Sequence, residues 1–265
     1  MEEIKRVPAF SIVTVVYNAE KLIEGTMESI FNQTCKDYEY IVIDGNSTDK
    51  SMSIIEKYSN KIDIIVSEPD KGIYDAMNKA IKLAKGRYLN FMNCGDFFAD
   101  KTVLSYVVTL INDDYDVIYG NTIIDTVIGK YLVYPEEIEK AIYKHMPFCH
   151  QSVFVKTDTL KNNPFDLKYR VVADYNMFYN LYRQNKSFLY VNYTIAKYQN
   201  DGIKSYCSYE EQSENASINQ SLSSKMIVYI KAIGTYIRPI IPFCIYAFYR
   251  RCKYSFNPRY VYIGK

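Results

Sequence analysis

Residues 10–92 alternate between short β-branched runs and longer segments in which apolar residues recur at helical spacing. Four strands are predicted, at residues 11–16, 40–44, 62–67 and 87–92, with a helix in each interval. Strands that alternate with helices in this way form a parallel sheet with helices packed against its faces. The pattern therefore predicts an α/β domain in which the loops that follow the strands meet at one edge of the sheet.

Beyond the fourth strand the rhythm changes. We predict a helix over 101–112, extended strands over 116–120 and 121–134 that turn at Gly129, and another helix over 174–185. Gly86 is expected to cap the C-terminus of the helix before the fourth strand. No repeat or low-complexity linker separates the two halves, so one compact unit is expected.

The charge is distributed unevenly along the chain. The formal net charge is +2, but residues 225–265 hold eight basic residues and no acid, which leaves 24 basic and 30 acidic residues in the remainder. This asymmetry predicts a separate partner for residues 225–265. The six scattered cysteines argue against a structural zinc site, and free thiols in a reducing cytoplasm are expected. The charged N-terminus does not resemble a secretory signal.

Polar side chains follow each of the four predicted strands, in the stretches 17–18, 44–49, 68–72 and 93–96. Each stretch alone is also typical of turns and helix caps, but ligands bind where such loops converge. The glycine signatures of dinucleotide-binding proteins and P-loop proteins are absent, as is the Gly-x-Ser-x-Gly of serine hydrolases. An edge rich in acids and amides needs a divalent metal to hold a diphosphate, and Asp96 is the expected ligand.

Four ordered motifs, in the stretches 11–18, 26–34, 40–49 and 86–96, resemble the family 2 glycosyltransferases with the GT-A fold. The stretch 68–79 resembles the branch that builds bacterial surface polysaccharides. The resemblance implies a Rossmann-like nucleotide-binding half with a mixed central sheet. It also implies an inverting, hexosyltransferase-type transfer from a nucleoside diphosphate sugar to a glycan or lipid-linked acceptor.

The resemblance also implies roles for residues of the first half. Thr14, Tyr17 and Asn18 would lie along the nucleotide. Asp44 would lie beside the base or ribose, and Asp70 near the nucleotide or donor sugar.

The stretch 93–96 stands where the family often has Asp-x-Asp-Asp, which leaves Asp96 as the retained metal-binding carboxylate for Mn²⁺ or Mg²⁺. Asn93, which replaces a carboxylate, is expected to contact the nucleotide sugar. Gly45 stands at the second position of a common Asp-Asp pair.

In the second half, Asp174 matches the aspartate of a Glu-Asp motif, and Ala173 departs from the glutamate. An inverting transfer needs a base to take the proton of the acceptor hydroxyl, and Asp174 is the expected base. The alternative is an aspartate that caps an ordinary helix. His150 also lies in a segment that resembles this branch, and it is expected to contact the diphosphate, the metal or the acceptor, or else to be structural.

We expect a glycosyltransferase domain over 1–224, with a nucleotide-sugar half at 1–97 and an acceptor half at 98–224. Residues 225–265 form a basic, aromatic tail with Pro239 and Pro242 inside it.

As a membrane-spanning helix this tail is disfavoured by its cations and prolines, so we predict an amphipathic segment on an anionic membrane surface. The alternative is a helix that closes the enzyme's own core or a dimer interface. Nucleic acid is not an expected partner, because the acidic remainder would repel it.

The sequence thus predicts a metal-dependent glycosyltransferase that is cytoplasmic and peripheral on the inner face of the cell membrane. A catalytically silent sugar-nucleotide-binding or scaffold protein is the alternative, which the missing carboxylates at 93 and 95 favour.

Overall fold

A computed structural model describes residues 6–111, 115–200, 209–219, 251–252 and 254–264. Within them, ten strands form one mixed sheet, and helices cover both faces. Two large groups of buried apolar side chains lie on the two faces of the sheet.

The first half contains the predicted strand–helix units. Its elements are β1 (Phe10–Val16), α1 (Ile23–Phe31), β2 (Tyr38–Asp44), α2 (Ser51–Lys57), β3 (Ile64–Ser67), α3 (Ile73–Leu83) and β4 (Tyr88–Phe91). The four strands are parallel, with β1 between β2 and β4 and with β3 at the edge. The four predicted strands are therefore confirmed, with ends that differ by one or two residues.

Strand β1 shows why this sequence forms the centre of the sheet. All seven of its residues are buried. Val13 and Val15 pack into one core, whereas Ile12 and Val16 pack into the other. Successive side chains of a strand point to opposite faces, so a continuous β-branched run is suited to burial on both sides.

The second half extends the sheet with antiparallel neighbours. Its elements are β5 (Asp96–Phe98), α4 (Val103–Val107), β6 (Val117–Thr126), β7 (Gly129–Val133), α5 (Ile138–Ala141), β8 (Val153–Lys156), α6 (Thr157–Asn162), α7 (Ala173–Arg183), β9 (Phe188–Asn200), α8 (Tyr209–Asn219) and β10 (Tyr260–Gly264). The strand order is β10-β7-β6-β8-β4-β1-β2-β3, and β9 pairs with β5 and β6. This is the α/β architecture with a mixed central sheet that was expected.

Three local predictions for these elements were wrong. The predicted boundary after Gly120 is absent from β6, because β9 pairs along both parts of this strand and absorbs the irregularity as a shift in register. The turn predicted at Gly129 is present, since β6 ends at Thr126 and β7 begins at Gly129. The helix predicted over 101–112 is a short α-helix followed by a 3₁₀ turn that ends at Leu110.

Gly86 does not cap α3, which ends at Leu83. It allows two backbones to meet, since a Cβ there would lie 2.3 Å from the carbonyl carbon of Phe10.

The last strand joins the sheet through β7. Strand β10 pairs antiparallel with β7, and the neighbouring Tyr254 is buried against Tyr131. Arg259 donates to the carbonyl oxygens of Tyr134 (2.9 Å) and Pro147 (3.1 Å). Of the predicted membrane tail, this final part therefore packs on the protein's own sheet.

Most of the predicted tail, residues 225–250, lies outside the described residues. None of the helices in the described part of the chain has both the length and the apolar character needed to cross a membrane.

Candidate active site

A cavity of about 750 Å³ opens where the loops after β1, β2, β3 and β4 converge. Its lining includes Tyr17 and Asn18 after β1, Asp70 after β3, and Asn93 and Cys94 after β4. The carboxyl ends of parallel strands are where α/β proteins bind ligands. The structure thus brings together Tyr17, Asn18, Asp70 and Asn93 as predicted neighbours.

Two loops of this cavity are joined by reciprocal hydrogen bonds. The Asn18 N–H donates to Ser47 Oγ (2.9 Å), and Asn18 Oδ1 accepts from the N–H of Thr48 (2.8 Å). Asn18 has a φ of +48°, a conformation that asparagine tolerates better than most residues. Asn18 therefore shapes the rim of the cavity through its backbone as well as its side chain.

Thr14 and Asp44 lie below the cavity and are fully buried. The Thr14 hydroxyl donates to the carbonyl oxygen of Met92 (2.8 Å) and accepts from Tyr40 (2.9 Å). This hydroxyl joins neighbouring strands, so Thr14 lies in the framework beneath the cavity, and its predicted position along the nucleotide stays a prediction.

The Asp44 carboxylate is likewise occupied by the protein itself. It accepts from the Ser47 N–H at 3.1 Å and from the Ser67 hydroxyl at 2.6 Å. It therefore orders the loop after β2, and its predicted position beside the base or ribose stays a prediction.

Gly45 leaves room for Asp70. A Cβ at Gly45 would lie 2.4 Å from Asp70 Oδ2 and 3.3 Å from the ring of Tyr17. The other oxygen of Asp70 accepts from the Gly72 N–H (2.8 Å). The carboxylate of Asp70 thus fills the place that a side chain at position 45 would take, against an aromatic ring that is 64% exposed.

Asp96 is a buried carboxylate at the start of β5, with 8% of its surface exposed. Burial raises its pKa to about 7, although the positive charge of His150 and a hydrogen bond from Gln151 Nε2 work in the opposite direction. A carboxylate that loses its hydration without an equivalent partner holds its proton more tightly.

A chain of contacts connects the cavity to Asp174. The Asn93 side-chain nitrogen lies 3.4 Å from His150 Nε2, and His150 Nδ1 lies 3.4 Å from Asp174 Oδ2. Asp174 Oδ1 accepts from the hydroxyl of Tyr74 (3.0 Å) and from the N–H of Tyr175 (2.8 Å). Asp174 lies in the first turn of α7, after the N-cap Val172, so it is not the N-cap residue.

The positive charge of His150 and the negative charge of Asp174 stabilise each other. Burial works against the charged imidazole, but the hydrogen bond and charge of Asp174, together with the charge of Asp96, raise the pKa of His150. Burial also works against the Asp174 carboxylate. The hydrogen bond and charge of His150, with the donors Tyr175 N–H and Tyr74 hydroxyl, nevertheless hold the pKa of Asp174 below its ordinary value. Asp174 is therefore ionised at neutral pH, as a general base must be.

The residues present fit a divalent cation bound jointly with a diphosphate. Among the described residues, no cluster of three or more histidine, cysteine or acidic side chains could hold a metal by itself. Asn93 Oδ1 is buried and has no hydrogen-bond partner within the described part of the chain. An amide oxygen and the Asp96 carboxylate are suitable ligands for Mg²⁺ or Mn²⁺, and oxygens of the diphosphate would complete the set.

Sequence reasoning missed several residues of the site. Glu20, Lys21 and Asp49 line the cavity. These residues lie in or next to the polar stretches that predicted the site, but a single charged residue in a loop is usually solvated. Asn90 donates to the carbonyl oxygens of Gln151 and Val153 and so orders the segment after His150. A single polar residue inside the fourth strand was the only available signal for it.

The fold and this cavity define a glycosyltransferase of the GT-A type. A family model described as glycosyl transferase family 2 matches residues 11–186, so the chain belongs to that family. Over 175 residues it is 30% identical to a PGL/p-HBAD biosynthesis glycosyltransferase of Mycobacterium bovis (strain BCG / Pasteur 1173P2). This match covers 64% of this chain and 68% of that relative.

Two further proteins extend the comparison. WfgD of Escherichia coli, a UDP-Glc:alpha-D-GlcNAc-diphosphoundecaprenol beta-1,3-glucosyltransferase, is 24% identical over 71% of this chain and 76% of its own. S. aureus TarS 1-349, solved in complex with UDP-GlcNAc, superposes with a TM-score of 0.62 at 22% identity, over 79% of this chain and 66% of that chain. The structural likeness shows the same fold.

Proposed function

We propose that this glycosyltransferase transfers a sugar, with inversion, from a uridine diphosphate sugar to a glycan on a lipid diphosphate carrier. The observation that carries the proposal is the continuous chain from the donor cavity through Asn93 and His150 to Asp174. The donor and acceptor classes are supported by WfgD, whose name specifies both, and by the TarS complex with UDP-GlcNAc. The resemblance to surface-polysaccharide enzymes points in the same direction.

The transfer is a single displacement. The acceptor hydroxyl oxygen forms a bond to the anomeric carbon, the bond from that carbon to the diphosphate oxygen breaks, and the diphosphate leaves with the electron pair. Asp174 takes the hydroxyl proton, and the contact of its Oδ2 with His150 Nδ1 holds the carboxylate in place. General base catalysis of this kind contributes about 10²- to 10⁴-fold. Holding the hydroxyl in line with the anomeric carbon contributes more.

The donor is held by the cavity. Tyr17 offers an exposed ring for stacking on the base, and Asp70 offers a carboxylate oxygen beside it. Lys21 lines the same cavity and supplies a positive charge for the diphosphate. Asp96, with Asn93, would hold Mn²⁺ or Mg²⁺, which when bound stabilises the negative charge of the leaving diphosphate.

We also propose that the enzyme works at the cytoplasmic face of the membrane, where a lipid-linked acceptor would be presented. The excess of positive charge in residues 225–265 and their aromatic content support contact with anionic lipid. The domain division at residues 97 and 224 stays a prediction.

The test is a transfer assay with UDP-sugars, Mn²⁺ and a lipid-diphosphate-linked acceptor. Wild-type protein should transfer sugar, and Asp174→Asn should lose turnover by about 10²-fold or more while UDP affinity stays within about twofold. Binding of UDP without transfer or donor hydrolysis under any condition would identify a silent sugar-nucleotide-binding protein instead. Unchanged turnover in Asp174→Asn would remove Asp174 from the reaction.

A further inference from the structure

Glu214, on α8, holds the loop that leads into the helix of Asp174. Its Oε1 accepts from the backbone N–H of Arg170 (2.8 Å). Its Oε2 accepts from the N–H groups of Val171 (3.0 Å) and Val172 (3.1 Å). One carboxylate thus accepts three successive backbone donors, and hydrogen bonds to an ionised acceptor are the stronger ones.

The same loop is held from its other side by Tyr74. The Tyr74 hydroxyl lies 2.8 Å from the carbonyl oxygen of Val171 and 3.0 Å from Asp174 Oδ1. The loop carbonyl and the carboxylate of the proposed base therefore share one hydroxyl group. A shift of the loop would change this contact and, with it, the direction of the Asp174 carboxylate.

Helix α8 is itself anchored to the protein. Ile218 is 4% exposed and belongs to the same buried group of side chains as Ala173 and Met177 of α7. Residues four apart lie on one face of a helix, so Glu214 and Ile218 face α7 together. The anchor gives the carboxylate a fixed place from which to hold the loop.

We propose that Glu214 is a positioning residue for the reaction, one that sets the orientation of Asp174 toward His150. The inference rests on the proposed function, in which Asp174 is the base. Glu214 lies outside residues 11–186, the part that the family model matches, so the transfer site depends on a segment beyond that match. A displacement of about 1 Å at a reacting group can cost about 10²-fold in rate, so a loop contact is enough to matter.

The test compares Glu214→Gln with Glu56→Gln, which removes the same charge from an exposed position on α2. Glu214→Gln should lower kcat by about 10- to 100-fold and leave the Kd for UDP within about twofold. The donor cavity is built from other loops, so a general loss of structure would lower both kcat and the affinity for UDP. Glu214→Asp, which keeps the charge on a shorter side chain, should give an intermediate kcat and is the second variant if the glutamine protein does not fold.

A second readout does not depend on turnover. The chain has two histidines, so the imidazole signals of His150 can be followed by NMR with His145 as internal reference. Glu214→Gln should move the His150 signals in the direction in which Asp174→Asn moves them, and should leave those of His145 in place. Glu56→Gln should move neither.

The outcomes separate the two proposals. Unmoved His150 signals, or an unchanged kcat in Glu214→Gln when wild-type protein transfers sugar, would overturn the role of Glu214 alone. Equal losses of kcat and of UDP affinity would also overturn it, because they would mean a general structural role. Wild-type protein that binds UDP but transfers no sugar would overturn the proposed function and this inference together.

Discussion

Replacing Asp96 by asparagine should stabilise the protein at alkaline pH while removing its response to divalent metal. Asp96 is buried, and burial raises its pKa from the ordinary 3.8 to about 7. At pH values between these two pKa values, Asp96 is therefore protonated in the native state and ionised in the unfolded chain. Wherever the native state binds more protons than the unfolded state, stability falls as pH rises.

The size of the effect follows from the shift. About three pKa units, at about 1.4 kcal/mol each, correspond to about 4 kcal/mol of stability that is present near pH 4 and lost by about pH 8. Asparagine has a similar shape and carries no charge to desolvate. The free energy of unfolding of Asp96→Asn should therefore exceed that of wild type by up to about 4 kcal/mol at pH 8, and the difference should shrink toward pH 4.

The measurement is urea unfolding of both proteins between pH 4.5 and 8.5, with and without Mn²⁺. Asp158→Asn, at an exposed position on α6, is the matched control for loss of one acidic charge. Mn²⁺ with UDP should stabilise wild-type protein more at pH 8 than at pH 5, because the ionised carboxylate is the ligand, and should have little effect on Asp96→Asn. Parallel pH profiles for wild type and Asp96→Asn would refute the reasoning.

Three further predictions concern the donor site, the last strand and the tail. Gly45→Asp and Asp70→Gly should each weaken UDP binding by about tenfold or more, and the double variant should recover most of this loss, because one carboxylate then fills the same space. Titration calorimetry measures the affinities, and additive losses in the double variant would contradict this explanation. Arg259→Gln should lower the free energy of unfolding by about 2 kcal/mol, because the variant loses an ion pair and two hydrogen bonds to backbone carbonyls. In the same urea experiment Arg251→Gln, at an exposed position, should change it by less than about 0.5 kcal/mol. Equal changes in the two variants would contradict this reasoning. Neutralising the three cations within 225–240 should weaken co-sedimentation with anionic vesicles by about 10²-fold at low salt, at about 1 kcal/mol for each cation; unchanged binding would leave the alternative in which the tail packs on protein.

Local patterns were sufficient where each residue's role depends on its near neighbours in sequence. The four strands of the first half were predicted because a run such as Phe10–Val16 has a composition that suits burial on both faces, whatever lies beyond it. The loops that build the cavity were predicted for the same reason, since each follows its strand directly. Tyr17, Asn18, Asp70 and Asn93 could thus be assigned to one edge of the sheet before their contacts were known.

The roles of Thr14 and Asp44 show where local pattern was insufficient. Both lie in stretches that resemble the family, but the hydrogen bonds of their side chains to Tyr40, Met92 and Ser67, which are distant in sequence, could not be predicted from those stretches. The hydrogen-bond partners of a hydroxyl or carboxylate depend on which groups the tertiary packing brings next to it.

By itself, then, the sequence determined the strand–helix rhythm, the family and the set of polar loops, because periodicity and turn chemistry act over a few residues. Only the tertiary structure decided that Asp174 meets His150, that Asp70 occupies the space above Gly45, and that Glu214 holds the loop before the proposed base. Each of these contacts joins residues 24 or more positions apart. Such contacts exist only once the sheet and its helices have packed, since packing, rather than local preference, brings distant polar groups within hydrogen-bonding distance.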